Sequence, residues 1–312
     1  MSAVRDAARG KWRGILPALG VHLPRADARH CACPICRAGK DRFRFDDKEG
    51  LGTWICGQCG AGSGFDLVMK LRGIGYAECA KLVEEVLGGV AAQPIRPGVD
   101  PEKQRAAAAR LWNAASRLSD SDGVEAYLAA RGLATRSSAL RFVDRCRTSR
   151  GEHYPAMLAQ VCDAEGKALT VHRTYLAGDR KAQIDCPREL MPGRLSDGCA
   201  VRLSPAEPVL GIAEGVETAL AAAELFGVPV WAALTAGMME RWTPPEGTRR
   251  VVICGDNDSA KSFAGEKAAY ALAHKLAGKV TVEMQVAPEP GDWADILLKR
   301  RAARGETEEA TR

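Results

Sequence analysis

Val209-Leu210-Gly211-Ile212-Ala213-Glu214-Gly215-Val216-Glu217-Thr218 and, further on, Arg250-Val251-Val252-Ile253-Cys254-Gly255-Asp256-Asn257-Asp258 decide the C-terminal third of the chain. Each opens on a short apolar run closed by Gly and carboxylates. Runs of this length bounded by turn residues suit buried strands rather than helices. Val216–Phe226 and Phe263–Leu276 carry helical patterns between them. Val230–Leu234 and Val280–Val286 are two further runs, and Asp292–Lys299 reads as a last helix. Strand alternating with helix predicts a parallel sheet with helices on its faces.

In an open parallel sheet, function gathers at the carboxyl ends of the strands. Here Glu214 closes one run, Asp256 and Asp258 close another, and Asp292 and Asp295 open the last helix. Carboxylates brought together and partly buried are costly unless a cation neutralises them. Mg²⁺ or Mn²⁺ suits such a set, being hard and content with a few carboxylates plus substrate phosphates. The competing explanation is local. Asp after a strand is a common turn residue, and Asp292 can serve as a helix N-cap.

Working back to the N-terminus, Cys33-Pro-Ile-Cys36 and Cys56-Gly-Gln-Cys59 offer four thiolates for one tetrahedral Zn²⁺. His30 and Cys31 lie close enough to offer an alternative ligand. Between the knuckles stands Lys40-Asp41-Arg42-Phe43-Arg44-Phe45, followed by Gly52-Thr53-Trp54-Ile55. On a strand, Arg42 and Arg44 share one face and Phe43 and Phe45 the other. The aromatic face can pack on the zinc core and leave a basic face for phosphate. Trp54 can stack on a base or serve the core of a small domain.

The 312 residues suit two or three domains, and 46% apolar content allows a sizeable core. Eleven cysteines with no disulfide-scaffold spacing suit a reducing, cytoplasmic setting. No run of apolar residues is long enough for a membrane helix, and the first residues lack an apolar signal core. The net charge of +5 is unevenly spread. Residues 1–72 hold thirteen Lys/Arg against seven Asp/Glu, whereas residues 206–300 hold nine against thirteen. A basic head suits a polyanion and an acidic third segment suits a divalent metal.

These patterns divide the chain into a zinc-ribbon DNA-binding domain with flanking helices (1–90), a linker (91–100), a helical then β-rich middle (101–205), the α/β sheet domain (206–300) and a tail (301–312). The fold class is α+β and multidomain. Helix is expected over 65–87 with an interruption near Gly73–Gly75, and over 101–148 with breaks at Asp122-Gly123 and Arg131-Gly132. Met157–Cys162 and Ala168–Leu176 read as strands around a turn at Asp163-Ala164-Glu165-Gly166.

The Ile212–Ala219 and Val252–Asp258 segments resemble a Toprim domain, the fold shared by DnaG-type primases, topoisomerases and some nucleases. The head, from Cys33-Pro through Asp41-Arg42-Phe43-Arg44-Phe45 to Cys56-Gly-Gln-Cys59-Gly60, resembles the zinc ribbon of phage and plasmid primases. Tyr127–Leu133, and Val171-His172-Arg173-Thr174-Tyr175-Leu176 before Arg180-Lys181-Ala182, also fit that group. The resemblance implies RNA primer synthesis on single-stranded DNA from ribonucleoside triphosphates. Glu214 would act in acid–base work or metal positioning, and Asp256 and Asp258 would bind the metal. Arg173, Arg180, Lys181 and Lys261 would meet template or triphosphate, and a separate replicative helicase would be the partner. Two departures stand out: Thr218 occupies a position often acidic in DnaG-type enzymes, and the ribbon has four cysteines where a histidine ligand is frequent. No Walker A sequence is present, so no fused helicase is expected. The alternatives are a Toprim-type nuclease and a non-catalytic DNA-binding adaptor. A topoisomerase would need a nucleophilic tyrosine in a larger gated body.

Overall fold

A computed structural model describes residues 3–24, 30–37, 42–93, 100–119, 122–133, 137–259 and 263–309. The chain divides into two compact units, Met1–Val99 and Asp100–Arg312. Most of the expected linker, 94–99, lies outside the described residues.

The first unit holds helices α1 (Ala3–Ala8) and α2 (Trp12–Ala18), strands β1 (His30–Cys31), β2 (Phe43–Phe45), β3 (Trp54–Cys56) and β4 (Gly60–Gly62), and helices α3 (Gly64–Arg72) and α4 (Tyr76–Leu87). The strands form an antiparallel ribbon in the order β1-β2-β3-β4. Phe43 stands opposite Cys56 and Phe45 opposite Trp54, and all four are buried. The intervening Arg44 and Ile55 point outward, as a period of two requires. Trp12, Ile15 and Leu16 of α2 and Phe65, Leu67 and Val68 of α3 complete one apolar cluster with the ribbon. Gly64 is there for space: a Cβ on it would sit 2.2 Å from the Trp12 ring. The expected interruption at Gly73–Gly75 separates α3 from α4, with Gly73 in the left-handed region closing α3.

The second unit begins with α5 (Pro101–Ala114), β5 (Ser116–Arg117) and α6 (Gly123–Ala130). It continues through β6 (Leu140–Arg147), β7 (His153–Cys162), β8 (Ala168–Ala177), β9 (Arg180–Lys181), β10 (Arg188–Leu190) and β11 (Ala200–Val201). Then come β12 (Val209–Ala213), α7 (Val216–Phe226), β13 (Val230–Ala232), α8 (Ala236–Arg241), β14 (Arg250–Gly255), α9 (Ala264–Leu276), β15 (Thr281–Val286) and α10 (Trp293–Glu309).

Residues 140–147 correct the helical expectation for 101–148. They form a strand whose register with β7 runs from Leu140↔Ala159 to Arg147↔His153, with an irregularity after Val143. Leu140, Phe142 and Val143 fit a half-buried pleated surface, and the long neighbouring strand supplies the ladder that decides the matter. Two further differences are local. The run at 230–234 ends as a strand at Ala232, and Thr235 then caps the short α8. The last helix extends past Lys299 to Glu309, so most of the tail is helical.

β13, β12, β14 and β15 are parallel neighbours, as the alternating pattern predicts. β11 joins them to the antiparallel β-rich region, pairing with β13 on one side and β7 on the other. Segments 101–205 and 206–300 therefore share one sheet. They also share one core, which includes Tyr127, Met157, Ile212, Trp231 and Trp293. Among the described residues, no helix is long and apolar enough to cross a membrane.

Candidate active site and zinc centre

Cys33 and Cys36 lie on the turn after β1, and Cys56 and Cys59 bracket the turn after β3. Their four sulfurs lie within 4.8 Å of one another. Cys33 and Cys59 Sγ atoms are 3.7 Å apart, and those of Cys36 and Cys56 4.0 Å. Burial and the neighbouring thiols push Cys33 up to about 11 and raise Cys59 further, so the thiolates are disfavoured without a cation. That is the donor set Zn²⁺ takes, and binding would release the thiol protons. Cys31 is not one of the four.

Around this centre the basic face is real but partly engaged. Arg42 donates to Gln58 Oε1 at 2.9 Å, and Arg44 pairs with Asp46 at 2.8 Å. Trp54 shows no face to a base, contrary to the stacking expectation. It is 2% exposed, stacks on Phe43 at 5.9 Å, and donates its indole N–H to the Ser63 carbonyl.

In the second unit, Glu214 follows β12, and Asp256 and Asp258 follow the adjacent parallel strand β14. Adjacent parallel strands put their carboxyl ends on one edge, so the three carboxyls face the same space. Burial, then the Glu214, Asp292 and Asp258 charges, push Asp256 up to about 8. Burial, then Asp258, raises Glu214, against which the Ala236 N–H donates a stabilising hydrogen bond. Asp256 Oδ1 is buried with no hydrogen-bond partner. Gly265 donates to Asp258 Oδ2 at 3.2 Å, and a Cβ there would press on that same oxygen.

An orphaned carboxylate oxygen among like charges fits a divalent cation. These carboxylates do not form as tight a cluster as the four thiols. Asp292 and Asp295 divide. Each accepts the other's backbone N–H, which makes Asp292 the N-terminal cap of α10, as the local explanation expected. Asp292 also acts on Asp256 and lies 3.5 Å from Arg131, whereas Asp295 is the more exposed of the two.

The basic residues of the middle region sort differently from expectation. Arg173 is 11% exposed, paired with Glu189 at 2.9 Å and donating to the Arg147 carbonyl. It is a largely covered cation already engaged by Glu189. Lys181 is likewise engaged, 2.8 Å from Glu217 Oε1. Tyr127 also donates its hydroxyl to Glu217. Burial alone would raise the Glu217 carboxyl, but Lys181 and Tyr127 outweigh it and hold it down to about 2. Arg180 remains exposed with only a surface pair to Asp179. Lys261 lies outside the described residues. His172 is packed rather than catalytic: burial and neighbouring cations lower it to about 4.

Two residues escaped the sequence reading. Glu217 anchors the Lys181–Tyr127 network one turn beyond Glu214. Exposed Arg188, at the start of β10, is the cation whose charge reaches both Glu214 and Asp256. Only the strand pairing that carries β10 beside β8 could have revealed it.

Family models match three stretches of the chain. Residues 28–65 match the zinc-binding domain of primase-helicase, and residues 209–303 match the Toprim domain. Residues 102–203 match a domain of unknown function, DUF7146. The chain thus carries a match to a primase-type zinc-binding domain ahead of a match to a Toprim domain. Among solved structures it is similar to a DnaG primase catalytic domain bound to ssDNA, at 15% identity over 67% of this chain and 82% of that one, TM-score 0.44. The E. coli primase catalytic core matches at 16% identity over 60% and 72%, TM-score 0.39. A DNA primase domain from Pseudomonas aeruginosa matches at 17% over 59% and 58%, TM-score 0.33.

Proposed function

We propose that the chain is a DNA primase that makes short RNA primers on single-stranded DNA. The observation that carries this is the convergence of Glu214, Asp256 and Asp258 at the ends of adjacent parallel strands, where burial and the neighbouring carboxyls push Asp256 up to about 8. Mg²⁺ or Mn²⁺ would be held by Glu214, Asp256 and Asp258, with Asp292 beside them. Bound there, it would neutralise phosphate charge and favour ionisation of an attacking hydroxyl.

The chain's own residues supply the rest. Nucleotidyl transfer needs in-line positioning and charge compensation more than covalent catalysis. Glu214, raised by burial and Asp258, is suited to take a proton from the primer 3′-hydroxyl. The Arg188 charge reaches Glu214 and Asp256 and would suit the triphosphate of an incoming nucleotide. Exposed Arg180 suits template phosphate. In the ribbon, the exposed Arg42 and half-exposed Arg44 can exchange their present partners for phosphate. A separate replicative helicase would supply the unwound template.

The experiment is primer synthesis with labelled ribonucleotides, Mg²⁺ or Mn²⁺, and a pool of single-stranded templates. Short template-dependent products from the wild type, absent with Glu214→Gln and Asp256→Ala, support the primase. Degraded template favours the nuclease, and DNA binding without either activity favours the adaptor.

A further inference from the structure

Aromatic residues make up only 5% of this chain, and nearly all are buried or half-buried. Two are not: Phe263 is 58% exposed and Tyr270 61% exposed. Both belong to one element. Phe263 is the N-cap of α9 and Tyr270 lies seven residues on. Positions i, i+4, i+7 and i+11 share one helical face. Lys267, Tyr270 and His274 keep this spacing on α9, with the non-helical cap Phe263 at its N-terminal end, and all four are exposed. The opposite face, Ala268, Ala269, Leu272 and Leu276, is buried in the core. Phe263 also adopts a left-handed φ of 52°, uncommon for a bulky side chain.

The stripe starts at the acidic site. The Phe263 N–H donates to the Asp258 carbonyl at 3.3 Å, so the first ring is tied to the loop that carries the carboxylates. The one charged side chain on the stripe's crest is a cation. Lys267 is 80% exposed and 4.0 Å from Glu240, a contact that phosphate can replace at little cost. Alternating rings and cation along a track is the chemistry that grips single strands, with bases stacking on rings and the backbone meeting positive charge. The two rings are about 10 Å apart along the axis, at 1.5 Å per residue, which spans a few nucleotides.

From this we infer that the exposed face of α9, through Phe263, Lys267 and Tyr270, is a track for single-stranded nucleic acid leading to or from the acidic site. The inference rests on the polymerase reading for its direction, but binding can be measured without nucleotides or added divalent metal. A chain that binds and makes no primer would fail the function above and leave the track intact.

The test uses the full chain, a labelled thymidine oligonucleotide and an abasic oligonucleotide of equal length. Phe263→Ala and Tyr270→Ala should each weaken binding to the thymidine strand about tenfold and leave the abasic strand unchanged. Lys267→Ala should weaken both. Iododeoxyuridine placed in the strand should crosslink to peptides containing Phe263 or Tyr270, which reads the track directly even where the ribbon binds as well. Unchanged affinities with crosslinks elsewhere would overturn the inference. So would equal losses on both strands, or variants that change only self-association or protein binding.

Discussion

Lys181→Met removes the cation from Glu217, and the consequence can be worked through. Glu217 is 4% exposed, and Lys181 and the Tyr127 hydroxyl hold its carboxyl down to about 2 from an ordinary 4.5. At about 1.4 kcal/mol per pKa unit, that depression corresponds to about 3 kcal/mol of stability. A depressed carboxyl contributes fully above pH 4.5, and its contribution is lost as pH falls toward 2. Burial then outweighs the hydrogen bond that Tyr127 keeps, so the whole contribution is lost and the expected loss at pH 7 is at least about 3 kcal/mol. Without the ammonium, burial raises the carboxyl above 4.5, and the pH dependence changes sign. The variant should lag the wild type least at pH 5 and most at pH 8. Urea unfolding of the zinc-loaded chain at both pH values measures this. Lys181→Met/Glu217→Gln should recover most of the loss, because an unpaired buried charge costs more than no charge. A loss below about 0.5 kcal/mol, or a double variant no better than the single one, would refute the reasoning.

Other consequences are directly measurable. Elemental analysis should find one zinc per chain, and Cys56→Ala should lose it together with the cooperative unfolding of the 1–99 unit. Trp54→Phe should keep DNA affinity, because Trp54 is a core residue, whereas Trp54→Ala should cost about 3–5 kcal/mol in the same unit by thermal unfolding. Asp256→Asn should raise the melting temperature in the absence of divalent metal by removing the cost of burying an ionisable carboxyl beside like charges, and should abolish the stabilisation that added Mg²⁺ gives the wild type. Gly64→Ala should destabilise the ribbon, since its Cβ would collide with the Trp12 ring.

Much of the molecule was legible in the sequence for a shared reason. Short apolar runs closed by Gly and Asp report both the strand and the loop at its carboxyl end, so the parallel sheet and its carboxylates came together. The cysteine spacing and the Phe43/Phe45 alternation were equally local, and the ribbon obeys them.

The features that escaped depend on pairing between distant segments. β6 became a strand because β7 offers it a ladder, which no window of sequence contains. Arg173 looked like a template contact until the β8–β10 register placed Glu189 opposite it. Glu217 and Lys181 come from separate elements, and Tyr127 from a third. Trp54 carried two plausible roles, and only burial separates them.

The most direct test of the account is template-dependent ribonucleotide incorporation by the purified chain. Short labelled products should form on single-stranded DNA with Mg²⁺ or Mn²⁺, and should vanish in Asp256→Ala while that variant still binds DNA. Products of equal yield from Asp256→Ala, or none from a zinc-loaded wild type under any template and metal, would contradict it.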